Sequence, residues 1–368
     1  MVIKQVEIYK SPIRLKEPFV TSLGLHEYAE NILVIIKTDA GITGFGECSP
    51  FRSINGESMD TAFLVGNYLA KALLGNDPLD LESCLKIMDT VIYGNSSIKS
   101  ALDMALFDIA SQQAGLPLYQ FLSGNKDKEL ITDYTVSIGE PLKMANDAKK
   151  IMENGFQVIK VKLGGSREQD VERIRKIRDA VGETIPIRID ANQGWDVNDA
   201  IEVLKAIHPY NIQFCEEPIP RWNYQELSRV KNHSPIPVMA DESCCDHHDA
   251  KRLIDLGACD LFNIKLGKSS GIVNARKIIL LAEQAGMKMQ VGGFLESRLG
   301  FTASAHLALS SPQIIYCDFD TPLMFEEDPI VGGISYNTGG VVTVPDVPGL
   351  GAVVDEGYLK RLEKAVVN

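Results

Sequence analysis

The chain has 368 residues, 45% apolar and 23% charged, which leaves room for one barrel of about 250 residues plus a modest second domain. A formal net charge of −12 argues against nucleic acid or an anionic membrane as partner, since either would favour a basic face. Met1-Val2-Ile3-Lys4-Gln5-Val6 lacks the apolar core of a signal peptide, no apolar run approaches a membrane span, and seven cysteines without Cys-x-x-Cys suit reduced thiols in the cytoplasm.

Residues 2–8 and 31–37 are strand-like, and Asp39-Ala40-Gly41 leads the second into 42–47 as a hairpin with Gly41 in the turn. Helical spacing follows in 98–113, where Leu102, Ala105, Leu106 and Ile109 recur and Gly115 and Pro117 are stop signals. Strands followed by helices predict an α+β domain over residues 1–125. From about residue 130 strand and helix alternate. Eight strands are expected, at 131–136, 157–163 and near 186–190, 212–216, 236–240, 260–265, 288–292 and 314–317, a count that favours a closed barrel over residues 126–320. The helix after the second strand opens with a capping-box sequence, Ser166-Arg167-Glu168-Gln169, and carries Val171, Ile174, Ile177 and Val181 on one face. Residues 321–368, rich in Gly and Pro, are expected to return to the N-terminal domain.

Five charges close successive apolar runs in the middle of the chain: Lys162, Asp190, Glu216, Asp241 and Lys265, separated by 28, 26, 25 and 24 residues. That interval fits one strand, one helix and two short links, so the charges converge on the rim where barrels of this kind do their chemistry. Asp190, Glu216 and Asp241 offer oxygen only, a donor set for Mg²⁺ with Mn²⁺ as a substitute. Glu217 and Glu242 directly follow two of these, and period-two geometry lets only one of each pair face inward; strand counting favours Glu216 and Asp241. A lone acid at such a position is more often a solvated or ion-paired residue, but three in one phase of the repeat make coincidence a poor account. Lys160 and Lys162 point the same way, and Lys265 arrives across the barrel mouth. A lysine acts as a base only when neutral, and a neighbouring cation favours that state; Lys160 is placed to act so on Lys162.

Lys160-Val161-Lys162, Asp190-Ala191-Asn192, Glu216-Glu217-Pro218, Ala240-Asp241-Glu242-Ser243 and Asn263-Ile264-Lys265, in that order, resemble the enolase superfamily in its muconate-lactonizing-enzyme subgroup. The resemblance spans essentially the whole chain. It implies an α/β fold, a modified (β/α)7β TIM-type barrel under a capping domain made from the N-terminal region and the C-terminal tail. It also implies Mg²⁺ on Asp190, Glu216 and Asp241, with Lys162 and Lys265 as the acid/base pair. Gly292-Gly293-Phe294-Leu295-Glu296, at the end of the seventh strand, lacks the histidine that the mandelate-racemase subgroup uses there. Cys317-Asp318-Phe319-Asp320 resembles the Asp-x-Asp signature of dipeptide epimerases. Two aspartates two apart at a strand end face one side and can clasp a substrate ammonium.

The resemblance implies inversion of the Cα of a dipeptide's C-terminal residue through an enediolate, with Lys160 stabilising the new charge, Asp318 and Asp320 on the ammonium, and Thr135 lining the pocket. Relatives that act on Ala-Glu carry an arginine in the capping loop. Thr21-Ser22-Leu23-Gly24-Leu25 has no basic residue, so an apolar C-terminal residue is expected, unless Arg52 in the second capping loop points inward. o-Succinylbenzoate synthesis and N-succinylamino acid racemisation are the rival reactions, but their anionic substrates would meet repulsion from Asp318 and Asp320. A non-catalytic metal-dependent binding protein is the rival from another class; it has no need of two opposed lysines. Assembly into a homo-oligomer is compatible with the sequence.

Overall fold

The computed structural model describes residues 1–368. It opens on one long hairpin, β1 (Ile3–Thr21) and β2 (Gly24–Thr38), whose pairing runs from Ile3–Thr38 to Thr21–Gly24. Both strands extend well past the expected 2–8 and 31–37. Their outer halves carry Lys16, Glu17, His26 and Glu27, and a register shift between Arg14 and Phe19 breaks the alternation that would mark a strand. Residues 21–25 are therefore the tip of a hairpin rather than a free loop. β3 (Thr43–Cys48) joins β2 through the Gly41 turn, where φ is +80°. Helices α1 (Met59–Leu73), α2 (Leu81–Val91) and α3 (Ser96–Gln113) follow. α3 lies so close to β3 that a Cβ on Gly46 would collide with the Ala101 carbonyl.

A short helix, α4 (Leu118–Phe121), leads to β4 (Leu130–Ile131) and β5 (Tyr134–Val136). The strand expected over 131–136 is thus divided, and only β5 belongs to the barrel. Seven helices and seven further strands then alternate: α5 (Pro141–Glu153), β6 (Ile159–Lys162), α6 (Arg167–Val181), β7 (Ile187–Asp190), α7 (Val197–Ile207), β8 (Ile212–Glu216), α8 (Tyr224–His233), β9 (Val238–Ala240), α9 (His247–Asp255), β10 (Leu261–Lys265), α10 (Ile272–Gln284), β11 (Lys288–Gly292), α11 (Arg298–Ala308) and β12 (Ile314–Cys317). The eight parallel strands are ordered β5 through β12, the (β/α)7β pattern. Between β12 and β5 the ladder reduces to one bridge, Thr132–Cys317, beside a hydrogen bond of 2.7 Å from the Phe319 N–H to Thr132 Oγ1.

The rest of the chain adds β13 (Ile330–Gly332), β14 (Ser335–Asn337), β15 (Val341–Thr343), β16 (Ala352–Val354), α12 (Glu356–Leu359) and β17 (Lys364–Val367). β15 pairs with β4, and β17 pairs antiparallel with Val6–Tyr9 of β1, giving a sheet ordered β17-β1-β2-β3. No helix is long and apolar enough to cross a membrane.

The capping box at α6 does not form. Ser166 has extended backbone there, but its side chain makes no capping bond. Buried Asp170 instead accepts the Gly164 and Gly165 N–H groups at 3.1 and 2.8 Å and the Trp195 indole at 2.9 Å. Those amides precede the helix, so Asp170 fixes the turn before α6 and does not replace the cap.

Strand alternation builds the barrel interior in layers. Phe214, Met239 and Leu261 form an apolar floor with Tyr316 against it. Above it the Arg188 guanidinium lies 5.7 Å from the Phe214 ring and 4.6 Å from that of Tyr316. The same guanidinium bonds Asp133 at 2.8 Å and the Cys317 carbonyl at 3.1 Å, so it spans the weak seam. Arg188→Met leaves buried Asp133 Oδ2 without its donor. It is expected to cost about 1–3 kcal/mol in denaturant unfolding, partly recovered by adding Asp133→Leu; an unchanged midpoint would show the pair to be dispensable.

Candidate active site

The next layer up carries the charges. Period two brings Lys160 and Lys162, Asp190, Glu216, Asp241, Asn263 and Lys265, Gln290, and Asp318 to the inside. Strand pairing sets Lys162 beside Asp190 and Asp190 beside Glu216. Asp190, Glu216 and Asp241 are fully buried. Lys160 Nζ lies 2.8 Å from Glu216, 2.8 Å from Asp318 and 3.4 Å from Asp190. Lys162 Nζ donates to Asp190 Oδ2 at 2.5 Å. Lys265 Nζ donates to Asp241 Oδ2 at 2.6 Å and sits 3.9 Å from Glu216. Ammonium groups thus link each carboxylate to the next.

Glu217 faces away from this layer. Its carboxylate accepts the Asp241 N–H at 2.7 Å and the Ser243 N–H at 3.2 Å, together with the Ser243 hydroxyl, and so shapes the link after β9. Its own backbone is left-handed, with φ +34°. Glu242 accepts from the Asn192 amide at 3.2 Å.

Lys162, Lys265, Thr135, Asp318 and Asp320 line a single cavity at the carboxyl end of the barrel. β6 and β10 are four strands apart in a sheet of eight, so the two lysines approach from opposite sides. Each ammonium sits over an aromatic ring, Lys162 over Phe19 at 5.8 Å and Lys265 over Phe294 at 5.1 Å. Phe19, Leu23, Phe51, Ile54, Phe294 and Leu295 supply the apolar part of the wall. Arg52 is not in it: its side chain is 70% exposed and bonds Glu30 at 2.8 Å.

Three acids cluster at another edge of the site. Oxygens of Asp133, Asp318 and Asp320 lie within 4.8 Å of one another. Burial opposes ionisation of Asp318, yet Lys160 and Lys162 hold it at about 2. Burial and the Asp318 charge push Asp320 up to about 7, although the Thr135 N–H donates to it at 2.6 Å. Burial and Asp318 also raise Asp133 well above the carboxylate range. Asp133 Oδ1 is buried without a partner.

Lys160 is held charged. Burial lowers its pKa, but Asp318, Glu216 and Asp190 more than offset that and raise it. Burial also lowers Lys265, and Asp241 and Glu216 reverse it, leaving Lys265 well above an ordinary lysine. A neutral Lys265 therefore requires that those two carboxylates be engaged elsewhere, a condition the sequence reading did not anticipate.

The residues fit a hard divalent cation. Asp190, Glu216 and Asp241 bring oxygen donors to one buried layer, and eight buried carboxyl groups (Asp133, Asp190, Glu216, Glu217, Asp241, Glu242, Asp318 and Asp320) outnumber the five buried cationic side chains around it (Lys160, Lys162, Arg188, Lys265 and Lys268). Glu242 Oε2 and Asn192 Oδ1 are buried acceptors without donors.

Sequence reasoning missed Lys268, Gln290 and the Asp133–Arg188 pair, and gave Asn263 no role. Lys268 donates to Asp241 and to the Asn263 carbonyl, the latter at 3.0 Å. Asn263 and Gln290 donate to Glu216 at 2.8 and 3.3 Å. The inward phase of β10 and β11 was the available signal for these two. Lys268 lies beyond its strand, in a turn, where no phase applies.

Comparison with known proteins follows the same lines. Residues 3–123 match the family model described as mandelate racemase / muconate lactonizing enzyme, N-terminal domain, and residues 143–358 match enolase C-terminal domain-like. The D-Ala-D/L-Ala epimerase of Cytophaga hutchinsonii is 61% identical over 100% of both chains. The chain belongs to the dipeptide epimerase family of the enolase superfamily.

A crystal structure of the dipeptide epimerase from Cytophaga hutchinsonii, complexed with Mg and D-Ala-L-Val, aligns with this member over 100% of both chains with a TM-score of 1.00. The N-succinyl Arg/Lys racemase from Bacillus cereus aligns equally fully, with a TM-score of 0.97 at 32% identity. The L-Ala-D/L-Glu epimerase of Clostridium acetobutylicum is 39% identical over 95% of this chain and 98% of its own length. Family backbone is therefore shared among different substrates, and the pocket must distinguish them.

Proposed function

We propose that this protein is a dipeptide epimerase, an isomerase that inverts the Cα of the C-terminal residue and favours dipeptides whose C-terminal side chain is apolar. The observation that carries the reading is a cavity with Lys162 and Lys265 on opposite sides and the paired carboxyls of Asp318 and Asp320 at one edge. The relative of known structure bound to D-Ala-L-Val supports the substrate class, and the wall of Phe19, Leu23, Phe51, Ile54, Phe294 and Leu295 supports the side-chain preference. Arg52, turned out to Glu30, offers no counter-charge for a glutamate side chain.

Asp318 and Asp320 hold the substrate ammonium by charge-assisted hydrogen bonds, and the Thr135 N–H fixes Asp320 for that role. Lys162 and Lys265 face the Cα from opposite sides; one removes the proton and the other returns one to the far face. Lys160 remains charged and stabilises the negative charge that develops on the substrate carboxylate. Asp190, Glu216 and Asp241 would hold Mg²⁺, or Mn²⁺ in its place, whose chemistry here is that of a Lewis acid for a carboxylate. With those carboxylates engaged by the ion, Asp241 would no longer hold Lys265 charged, and Lys265 could serve as the base.

N-Succinylamino acid racemisation is the second reading, given the backbone of the Bacillus cereus relative. A succinyl carboxylate brought to Asp318 would meet a charge of its own sign in a buried setting, which disfavours it. Seven free thiols, six of them buried, accord with a cytoplasmic enzyme.

Lys162→Ala and Lys265→Ala should each lower epimerisation by about 10³-fold or more, with the fold retained. Each variant should keep exchange of substrate α-hydrogen with solvent deuterium for one epimer at most; near-normal turnover by either would refute the two-lysine assignment. Asp320→Asn should raise KM for a dipeptide by about tenfold or more, as the loss of a buried charge-assisted bond requires, with a smaller change in kcat. Mg²⁺ at about one hundred times its Kd should stabilise the protein by about 2.7 kcal/mol in thermal unfolding, and EDTA should reverse it. Asp241→Asn should lose that response; an equal response in the variant would place the ion elsewhere.

A further inference from the structure

Phe294 and Leu295 are the part of the cavity wall that the barrel supplies beside Lys265, and they lie on the link between β11 and α11. That link is gripped from the capping sheet. Asn31 Nδ2 donates to the Leu295 carbonyl at 2.7 Å and to Glu47 Oε1 at 2.9 Å. The Leu295 N–H donates to Ser49 Oγ at 3.3 Å. Glu47 then holds the helix start itself: Oε1 accepts the Ser297 N–H at 2.9 Å, and Oε2 accepts the Ser297 hydroxyl at 2.7 Å and the Gly300 N–H at 2.9 Å.

Ser297 is the N-cap residue of α11, so a carboxylate from 250 residues earlier completes the cap. Glu47 is 1% exposed, and every side-chain bond it makes goes to Ser297, to Gly300 in the first turn of α11, or to Asn31, which holds the same link. Neither Glu47, Asn31 nor Ser49 lines the cavity, so none of them touches substrate. Phe294 also stacks on Phe51 of the cap at 5.5 Å. A shift of the link would therefore move the apolar wall while leaving the metal-binding carboxylates and both lysines on their strands.

We propose that Glu47 is a positioning residue for specificity: through Ser297, Gly300 and Asn31 it sets where Phe294 and Leu295 stand, and so which C-terminal side chains the pocket accepts. The inference rests on the reading of this cavity as a dipeptide site. A part of the wall held in place from another layer of the fold is precise only while its supports are intact.

The test compares kcat and KM for alanyl-leucine and alanyl-alanine in wild type, Glu47→Ala, Glu47→Gln and Ser49→Ala, all loaded with Mg²⁺, alongside thermal unfolding. Glu47→Ala should raise KM for alanyl-leucine by about tenfold and that for alanyl-alanine by no more than about threefold, narrowing the preference between them with little change in kcat. Glu47→Gln keeps an oxygen for Asn31 and the Ser297 N–H but loses the bond from Gly300, and should restore part of the preference. Lost stability with an unchanged ratio between the two dipeptides would make Glu47 merely structural and overturn the proposal. If Glu47→Ala does not fold, Ser49→Ala decides: it removes one bond to Leu295 and should shift the ratio in the same direction by about threefold, and no shift overturns the proposal. A wild type that turns over neither dipeptide defeats the epimerase reading itself, an outcome separate from the behaviour of the variants.

Discussion

Burying charge is costly unless it is matched, and the upper half of this barrel buries more acid than base. Every functional feature of the site follows from how that imbalance is managed. Asp318 is ionised because two ammoniums face it, while Asp320, two residues on, is pushed up to about 7 by burial and by the charge on Asp318. Glu217 is likewise pushed up to about 7, by burial with Asp241 adding to it, although it is well supplied with donors. On the proposed reading, such a centre would take cations of two kinds, a hard metal ion at the linked carboxylates and an organic ammonium at the paired ones. A two-point grip on a dipeptide would then be a property of the charge distribution before it is a property of any one residue.

The apolar wall is assembled from two parts of the fold. Phe19 and Leu23 come from the β1–β2 hairpin, Phe51 and Ile54 from the link after β3, and Phe294 and Leu295 from the barrel. The hairpin tip is docked by Ser22, whose hydroxyl donates to the carbonyls of Ala191 and Asn192 at 3.0 and 2.8 Å, directly after Asp190. The second link is tied to the barrel by Arg221, which donates to the Ile54 carbonyl. Substrate preference can change here by substitution in the cap without disturbing the charged centre, which accounts for one backbone serving different substrates across the family.

The barrel strands were legible because buried parallel strands are short apolar runs, and four of the eight end on a charge, Lys162, Asp190, Glu216 and Lys265. Strand counting gave Glu216 its inward place as the last residue of β8, whereas Asp241 and Glu242 lie beyond β9, where strict alternation ends. The capping hairpin was hidden by charged residues in its outer half and by the shift after Arg14. The capping-box sequence at Ser166 marked the helix start correctly, but its side-chain bond does not form, and Asp170 holds the Gly164-Gly165 turn before it. Asp133, just before β5, and Arg188, on β7, are 55 residues apart and meet only inside the barrel, so nothing local marked them. The carboxylates that raise Lys265, Asp241 and Glu216, come from other strands, and their distances to it could not be read from sequence.

Residues 364–367 complete the sheet that bears the hairpin closing over the cavity. That sheet is therefore stitched across more than 350 residues, and during synthesis β1 waits with an unpaired edge while the entire barrel is made. Such an edge invites pairing with other chains, so slow or interrupted translation exposes this protein to aggregation at its amino end. A fusion or truncation that disturbs 364–367 reaches the pocket through β1, whose far end carries Phe19 over Lys162.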